Sequence, residues 1–149
     1  MVKILSKEPI AEAFLGEYAS GKSEVAVNRA LKLRKMGRTV TLVDLDLVEP
    51  FYTLRPLKDK LEKAGLRVIA WETKKTMGLG EAGYPLLPEA KWALKTREDL
   101  IIDGGYGVEG ARLLNLLEGS RDHPYLKILV VVNLKRPITN SYQRIIDYL

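Results

Sequence analysis

The stretch GEYASGKS, residues 16–23, combines the residue types and the spacing of an anion-binding loop. Gly16 lets the chain leave a strand in a tight turn, and Gly21 lets backbone N–H groups approach phosphate oxygens closely. The helix that follows would direct its free amide groups and its positive dipole end toward the same place. Lys22 would neutralise the β- and γ-phosphates of a nucleotide, and the Ser23 hydroxyl would ligate magnesium. The stretch therefore predicts a loop that binds a nucleoside triphosphate with Mg2+.

The fixed positions of this pattern would coincide by accident in on the order of one in two hundred chains of this length. An apolar run precedes the pattern and a helical pattern follows it, as a phosphate loop requires. We therefore prefer this interpretation to a glycine-rich turn that only starts a structural helix. The predicted nucleotide-binding residues are Gly16, Glu17, Tyr18, Ala19, Ser20, Gly21, Lys22, Ser23 and Glu24.

Acidic residues end two other predicted strands. Asp44 and Asp46 end the apolar run TVTLVDLD, and Asp103 follows the run LII. In an open α/β sheet, side chains at the carboxyl ends of strands point into the crevice where ligands bind. We expect Asp103 to hold magnesium, directly or through water, and leave open which of Asp44 and Asp46 meets the ligand. The alternative for each acid is a strand end that only caps a helix or faces solvent.

The elements that would position these residues alternate along the chain. Predicted strands are AEAFLG, RTVTLVDLD, LRVIAWE, LIIDGG and YLKILVVVN. Predicted helices are residues 23–36, the segment after Pro56, PEAKWALKTRED, EGARLLNLLEG and the segment starting at TNSYQRIIDYL. Such alternation predicts an α/β fold, a three-layer, doubly wound, mostly parallel sheet with helices on both faces. Residues 1–149 are expected to form one nucleotide-binding domain.

Composition narrows the classes of protein to be considered. The absence of cysteine excludes disulfides, thiolate metal sites and cysteine nucleophiles. No signal peptide and no run near the length of a membrane span is present, so a cytoplasmic protein with no membrane segment is expected. The net charge is +5, but the basic residues are spread over helix ends and helix faces. Nucleic acid is therefore a less favoured partner than a nucleotide.

Several other residues have side chains that can take part in binding or catalysis. The Gly- and Pro-rich loop with Met77 and Tyr84 could serve as a lid or partner loop, or only as a connection. Trp71 and Trp92 are expected to be core or partly buried residues rather than platforms for stacking bases. His123 stands in a predicted turn with no second histidine in the chain, so neither a metal nor a catalytic role is expected.

The segments GEYASGKS, LVDLDLVEP and LIIDGGYGVEGA together resemble the MinD/ParA branch of phosphate-loop NTPases. The resemblance covers nearly the whole chain, and is strongest to uncharacterised bacterial ATP/GTP-binding proteins within that branch. It implies that Asp44 helps to hold the magnesium shell and that Asp46 positions the attacking water. It also implies that Asp103 and Gly107 belong to a switch segment that senses the γ-phosphate. The predicted catalytic residues are then Lys22 and Asp46, and the predicted metal ligands are Ser23, Asp44 and Asp103.

Two features depart from this family pattern. Many members carry a second lysine after the first glycine of the loop, which reaches across a nucleotide-sandwiched homodimer, but this chain has Glu17 there. An acid cannot stabilise a partner's phosphate charge, so hydrolysis is expected to be slow or to need an activator. Family domains also continue through further strands, so the chain is expected to lack the C-terminal strands of the full domain. Asn133 is not followed by an N-K-x-D pattern, so ATP and GTP are not distinguished.

The resemblance implies Mg-dependent binding and hydrolysis of ATP or GTP, with the protein acting as a switch on a client protein or as a homodimer. Two alternatives stay open at this point. One is a P-loop kinase that transfers the γ-phosphate to a small molecule or to a nucleic-acid end. The other is a module that binds nucleotide without hydrolysing it.

Overall fold

The computed structural model describes residues 8–47, 54–72 and 86–149. In these ranges the strands are β1 (Ala11–Gly16), β2 (Val40–Asp44), β3 (Arg67–Ile69), β4 (Asp99–Tyr106) and β5 (Leu126–Val131). The α-helices are α1 (Lys22–Lys35), α2 (Lys58–Lys63), α3 (Pro88–Lys91), α4 (Gly107–Arg112) and α5 (Tyr142–Tyr148). Short 3-10 turns cover Arg55–Leu57, Ala93–Lys95, Leu113–Leu116 and Pro137–Thr139.

The five strands form one sheet in the order β3-β2-β4-β1-β5, and every described pairing is parallel. From β1 the chain runs through α1 to β2 on one side of β1, whereas from β4 it runs through α4 to β5 on the other side. The order of the strands therefore reverses between β1 and β4. Ligands of open α/β sheets bind at the carboxyl ends of the strands at such a switch point.

Helices cover both faces of the sheet, as the alternation of elements predicts. On one face the apolar side chains of α1 and α2 pack against the strands; this cluster includes Phe14, Ala26, Ala30, Leu33, Leu42, Leu61 and Ile101. On the other face, α3 and the 3-10 turns at Ala93–Lys95 and Leu113–Leu116 pack against the strands. This second cluster includes Ala13, Leu15, Val43, Ala90, Leu94, Ile102, Leu114 and Leu117. Coverage on both faces explains the nearly continuous apolar runs of the central strands.

Two helices are shorter than the sequence predicts. The stretch PEAKWALKTRED forms only α3 and a 3-10 turn, and the Thr96 hydroxyl then accepts a hydrogen bond from the Glu98 N–H at 3.2 Å. Such a side-chain bond offers the backbone an alternative to the helix. The stretch EGARLLNLLEG likewise changes from α4 to a 3-10 turn at Leu113. No helix in the described ranges is both long enough and apolar enough to span a bilayer.

At the amino ends of the strands, Asp99 joins three segments of the chain. Its side chain accepts a hydrogen bond from the Ile10 N–H at 2.9 Å and forms an ion pair with Arg38. The Arg38 guanidinium also donates to the Glu8 carbonyl at 2.9 Å, and its pKa is raised, first through its hydrogen bond to Asp99. Asp99 is 3% exposed, so this connection is sheltered from water. It aligns β1 and β4, the two strands that flank the switch point.

Candidate functional site

The loop between β1 and α1 has the backbone conformation that its glycines predict. Ala19 and Gly21 are left-handed, with φ of 53° and 95°. The Ser20 N–H donates to the Glu17 carbonyl at 3.0 Å, and the Val25 N–H donates to the Gly21 carbonyl at 3.0 Å, which begins α1. A side chain at Gly21 would meet no atom of the described residues within 4 Å, so among these residues only the positive φ favours glycine there.

Gly16 has a different reason to be glycine, namely close packing. A Cβ at this position would lie 2.6 Å from the Val131 carbonyl oxygen of β5 and 2.7 Å from the Ser20 hydroxyl. Ser20 is 7% exposed, and its hydroxyl has no hydrogen-bond partner among the described residues. A buried hydroxyl without a partner is costly, so it suits a ligand that supplies one. The loop therefore curls tightly against β5 and holds one unsatisfied hydroxyl.

Lys22, the first residue of α1, forms a buried ion pair with Asp46. The Lys22 Nζ lies 3.5 Å from the Asp46 Oδ2, and the two side chains are 9% and 4% exposed. Charge-assisted hydrogen bonds of this kind are usually 2.7–2.9 Å long, so the pair is loose. The Asp46 N–H donates in turn to the Asp44 Oδ1 at 2.9 Å, which holds the segment after β2 in place.

Asp44 and Asp103 lie side by side on neighbouring strands, because they are paired in register between β2 and β4. Leu42 and Ile101, two residues earlier on each strand, belong to the cluster on the α1 face. Since side chains alternate along a strand, both carboxylates point to the face where α1 begins. The strand order thus brings these two acids to the end of α1 that carries Lys22 and Ser23.

Asp103 has a strongly perturbed carboxylate. It is 0% exposed, and neither of its carboxylate oxygens has a well-formed hydrogen bond among the described residues, although the Ser23 side chain is close enough to act on it by hydrogen bonding. Burial, followed by repulsion from Asp44, raises the pKa of Asp103 to about 7, although Ser23 and Lys22 act in the opposite direction. The charge of Asp46 raises this pKa further. The site therefore has an excess of negative charge that a cation would relieve.

A magnesium ion fits this donor set only together with other ligands. No group of three or more His, Cys, Asp or Glu side chains in the described ranges is arranged to hold a metal ion. Mg2+ in nucleotide sites is usually bound through one or two carboxylates, with waters and phosphate oxygens completing its shell. The buried carboxylate of Asp103, with Asp44 beside it and Ser23 nearby, meets that requirement.

The outer side of the loop contacts residues that the sequence analysis did not single out. The Tyr18 ring packs edge-on against Tyr106, with centroids 5.7 Å apart, and the Arg136 guanidinium lies 5.9 Å from the Tyr18 centroid. Burial, and then the charge of Glu17, raises the pKa of Tyr148, so the end of α5 lies near the loop. These residues are far apart in sequence, and no local pattern links them to the loop.

The remaining predicted residues lie in various places. Glu24 is exposed in the first turn of α1, where an acid favours the helix dipole. Gly107 begins α4 with a φ of 62°, directly after β4. Met77 and Tyr84 lie outside the described residues. Trp92 is 46% exposed, so of the predicted core or partly buried positions it has the partly buried one.

Comparison with known proteins gives one similarity. No family model matches the chain. Over 124 residues, which are 76% of the chain, the sequence is 32% identical to a tRNA dimethylallyltransferase of Erythrobacter litoralis (strain HTCC2594). The matched region covers 36% of that protein, so the chain spans about a third of the length of this relative. Together with the parallel sheet and the helices on both its faces, this is consistent with an α/β fold of the P-loop NTPase type.

Proposed function

We propose that this protein binds a nucleoside triphosphate with Mg2+ at the carboxyl ends of β1, β2 and β4, and hydrolyses it as a switch. One observation carries the proposal. The carboxylate of Asp103 is fully buried and has no well-formed hydrogen bond in the described ranges, and only the Ser23 side chain and the Lys22 charge favour its ionised form. It lies at the end of α1 where Lys22 begins the helix. A fold keeps such a costly group where a ligand offsets its cost.

In this proposal Ser23, Asp44 and Asp103 hold the magnesium ion. When bound, Mg2+ would neutralise negative charge on the phosphate oxygens. The loop amides between Gly16 and Lys22 would bind the phosphates, helped by the positive end of the α1 dipole. The unsatisfied Ser20 hydroxyl is a further donor in this cradle.

Lys22 and Asp46 would change partners when a nucleotide binds. Their ion pair is loose, at 3.5 Å, and a phosphate oxygen offers Lys22 a stronger partner than this carboxylate. Asp46 would then be able to accept a hydrogen bond from water. Because its own N–H is held by Asp44, its carboxylate would stay in one place and orient that water.

The motif segments support a place near the MinD/ParA branch, with ATP or GTP as the nucleotide. Glu17 argues against the homodimer mechanism of that branch, because it stands where a lysine would reach across to the partner's phosphates. We therefore propose slow basal hydrolysis that a client protein accelerates. A cation that a client inserts beside the transferring phosphate stabilises the charge of the transition state, and such a group can accelerate hydrolysis roughly 10³–10⁵-fold.

Calorimetric titration tests the binding proposal. ATP and GTP are each titrated, with Mg2+ or with EDTA, into the wild type, Lys22→Ala and the control Lys32→Ala. Lys32 is an exposed lysine of the same helix, so its loss should leave affinity unchanged. We expect Mg-dependent binding of one nucleotide that Lys22→Ala weakens at least about 100-fold, as for a buried charge–phosphate contact. Equal binding by the wild type and Lys22→Ala would contradict the proposal.

A second function, transfer of a group to an acceptor, is favoured by the similarity to a tRNA dimethylallyltransferase. The acceptor would be a small molecule or a nucleic acid such as tRNA. Incubation with ATP labelled in its γ-phosphate, with and without tRNA, separates the two functions. Label released as inorganic phosphate without tRNA supports hydrolysis, and label transferred to RNA supports a kinase. Binding with neither product excludes hydrolysis and a kinase, and leaves a module that does not turn over nucleotide or an enzyme that transfers a group, such as dimethylallyl, from a donor other than ATP.

A further inference from the structure

An exposed aromatic residue surrounded by cations lies away from the nucleotide site. Trp92 follows α3 and is 46% exposed. The Lys95 Nζ lies 4.2 Å from the centroid of its ring, and the Lys91 Nζ lies 5.3 Å from the same centroid. A cavity of about 270 Å3 next to the ring is also lined by Arg67, an exposed residue of the edge strand β3. We name Arg67, Lys91, Trp92 and Lys95 the Trp92 patch.

The Trp92 patch is held on a rigid part of the fold. Ala90, Ala93 and Leu94, which stand beside and between its members, are buried in the core cluster of that face. The short helix and the turn therefore have one face in the core, and Trp92 with its two lysines lies outside it. About half of the Trp92 surface remains accessible, so a ligand can reach the indole and its two lysines.

Charge and shape together indicate the kind of ligand. Two lysines lie over the indole, Arg67 lines the cavity next to it, and one carboxylate, Glu89, lines the same cavity. An aromatic face with cations at its edge suits a flat, aromatic group joined to an anion. Nucleobases joined by phosphates have this chemistry, and every base offers a π face for stacking. A double helix does not, because its bases are already stacked on one another.

We propose that the Trp92 patch is a contact surface for single-stranded nucleic acid. One base would stack on Trp92, and the lysines would move from the ring to the adjacent phosphates. This exchange is favourable because an exposed cation–π contact is weaker than the stacking of a base on an aromatic ring. Thr41, on the rim of the cavity, lies three residues before Asp44 on β2. Thr41 and Asp44 are about 10 Å apart along the strand and point to opposite faces of the sheet, so both sites can be occupied together.

Fluorescence anisotropy of a labelled twelve-nucleotide uridine RNA tests this proposal at low salt. The variants are Trp92→Ala, Trp92→Phe and Lys95→Ala, with Lys32→Ala as the exposed-lysine control. We expect Trp92→Ala to weaken binding about 10-fold and Trp92→Phe to retain most of it, since a phenyl ring still stacks. Lys95→Ala should lower the salt dependence by about 0.7 in log–log slope, the value for one phosphate contact on a single strand. Lys32→Ala should change neither quantity.

Binding of other nucleic acids and of polyglutamate distinguishes base stacking on Trp92 from attraction of any polyanion. Single-stranded DNA that binds as well as the RNA supports stacking, and a preference for RNA supports stacking together with a contact to the 2′-hydroxyl. Equal binding of an RNA duplex or of polyglutamate would overturn the proposal, as would an unchanged affinity in Trp92→Ala. Calorimetry of ATP with Trp92→Ala keeps the two proposals separate, because this variant should bind nucleotide like the wild type. Thermal melting confirms that each variant is folded.

Discussion

The Lys22 ammonium and the Asp46 carboxylate form a buried ion pair 3.5 Å long at the start of α1. Lys22 stands in the predicted phosphate loop, and Asp46 follows a strand on the far side of β4. Each side chain thus keeps the other in position while no phosphate is present. The pair links the stability of the ligand-free protein to the site that is proposed to bind nucleotide.

Removal of one member of this pair should destabilise the ligand-free protein. Lys22→Met leaves the buried Asp46 carboxylate without its ammonium, at an expected cost of about 2–3 kcal/mol in the free energy of unfolding. The double variant Lys22→Met/Asp46→Asn should recover part of that loss, because the Asp46 charge is removed together with the ammonium, whereas Asp103 still loses the attraction of Lys22. Urea unfolding of the wild type, both single variants and the double variant measures the coupling. If the loss in the double variant equals the sum of the losses in the two single variants, the two residues are not coupled and the prediction is contradicted.

Asp103 should make the ligand-free protein less stable as the pH rises. Its pKa is raised from 3.8 to about 7 in the folded state, so between these values the folded chain holds a proton that the unfolded chain has released. The contribution of Asp103 to the free energy of unfolding is therefore most favourable below about pH 4, and it is lost as the pH rises to about 7. Asp103→Asn removes the ionisation, and should raise the melting temperature at pH 8 by more than at pH 5.

Melting temperatures in EDTA, without nucleotide, measure this effect for the wild type, Asp103→Asn and the control Asp59→Asn. Asp59 is exposed on α2, so its neutralisation should shift the melting temperature little at either pH. For a chain of this size, about 1 kcal/mol corresponds to roughly 2–4 °C. The same Asp103→Asn protein should lose Mg-dependent nucleotide binding. A variant that is less stable than the wild type at pH 8 would show that the carboxylate has a stabilising partner.

Gly105 and Gly110 allow α4 to start directly against the end of β4. A Cβ on Gly110 would lie 2.1 Å from the Gly105 carbonyl carbon and 2.3 Å from its oxygen. Both obstacles are backbone atoms, so a side chain here must displace the helix. We expect Gly110→Ala to lower the free energy of unfolding by about 2 kcal/mol or more. Urea unfolding checks this, with Val108→Ala, a truncation of an exposed residue in the same helix, as the control.

The acid in the phosphate loop should weaken the binding of triphosphate. Glu17 is half-buried, and its charge already raises the pKa of Tyr148. Glu17→Gln removes repulsion of the bound phosphates, and should strengthen ATP binding roughly threefold at low salt and ADP binding by less. Calorimetry at about 50 and about 300 mM salt should show a smaller gain in affinity at the higher concentration, because salt screens the charge of Glu17. Glu62→Gln, an exposed acid on α2, is the control of equal charge.

Unchanged affinities in Glu17→Gln would mean that this side chain points away from the phosphates. A gain that does not depend on salt would instead indicate a change in the conformation of the loop. The two results are therefore distinguishable from the electrostatic effect that we expect.

Much of the fold follows from local sequence patterns. The apolar runs predict the positions of all five described strands, and AEAFLG coincides with β1. The pattern between Gly16 and Ser23 predicts where α1 begins, because glycine conformation and helix initiation depend on neighbouring residues. The parallel sheet with helices on both faces follows from the alternation of elements.

Only the tertiary structure decides which distant residues meet. The sequence marks Asp44 and Asp103 as strand ends, but the order β2-β4-β1 sets them side by side and buries Asp103 without a well-formed hydrogen bond in the described ranges. The contact of Tyr18 with Tyr106 and the exposure of Trp92 likewise depend on packing between elements. Local patterns report the period and the ends of an element, whereas strand order and burial arise from contacts between elements far apart in the chain.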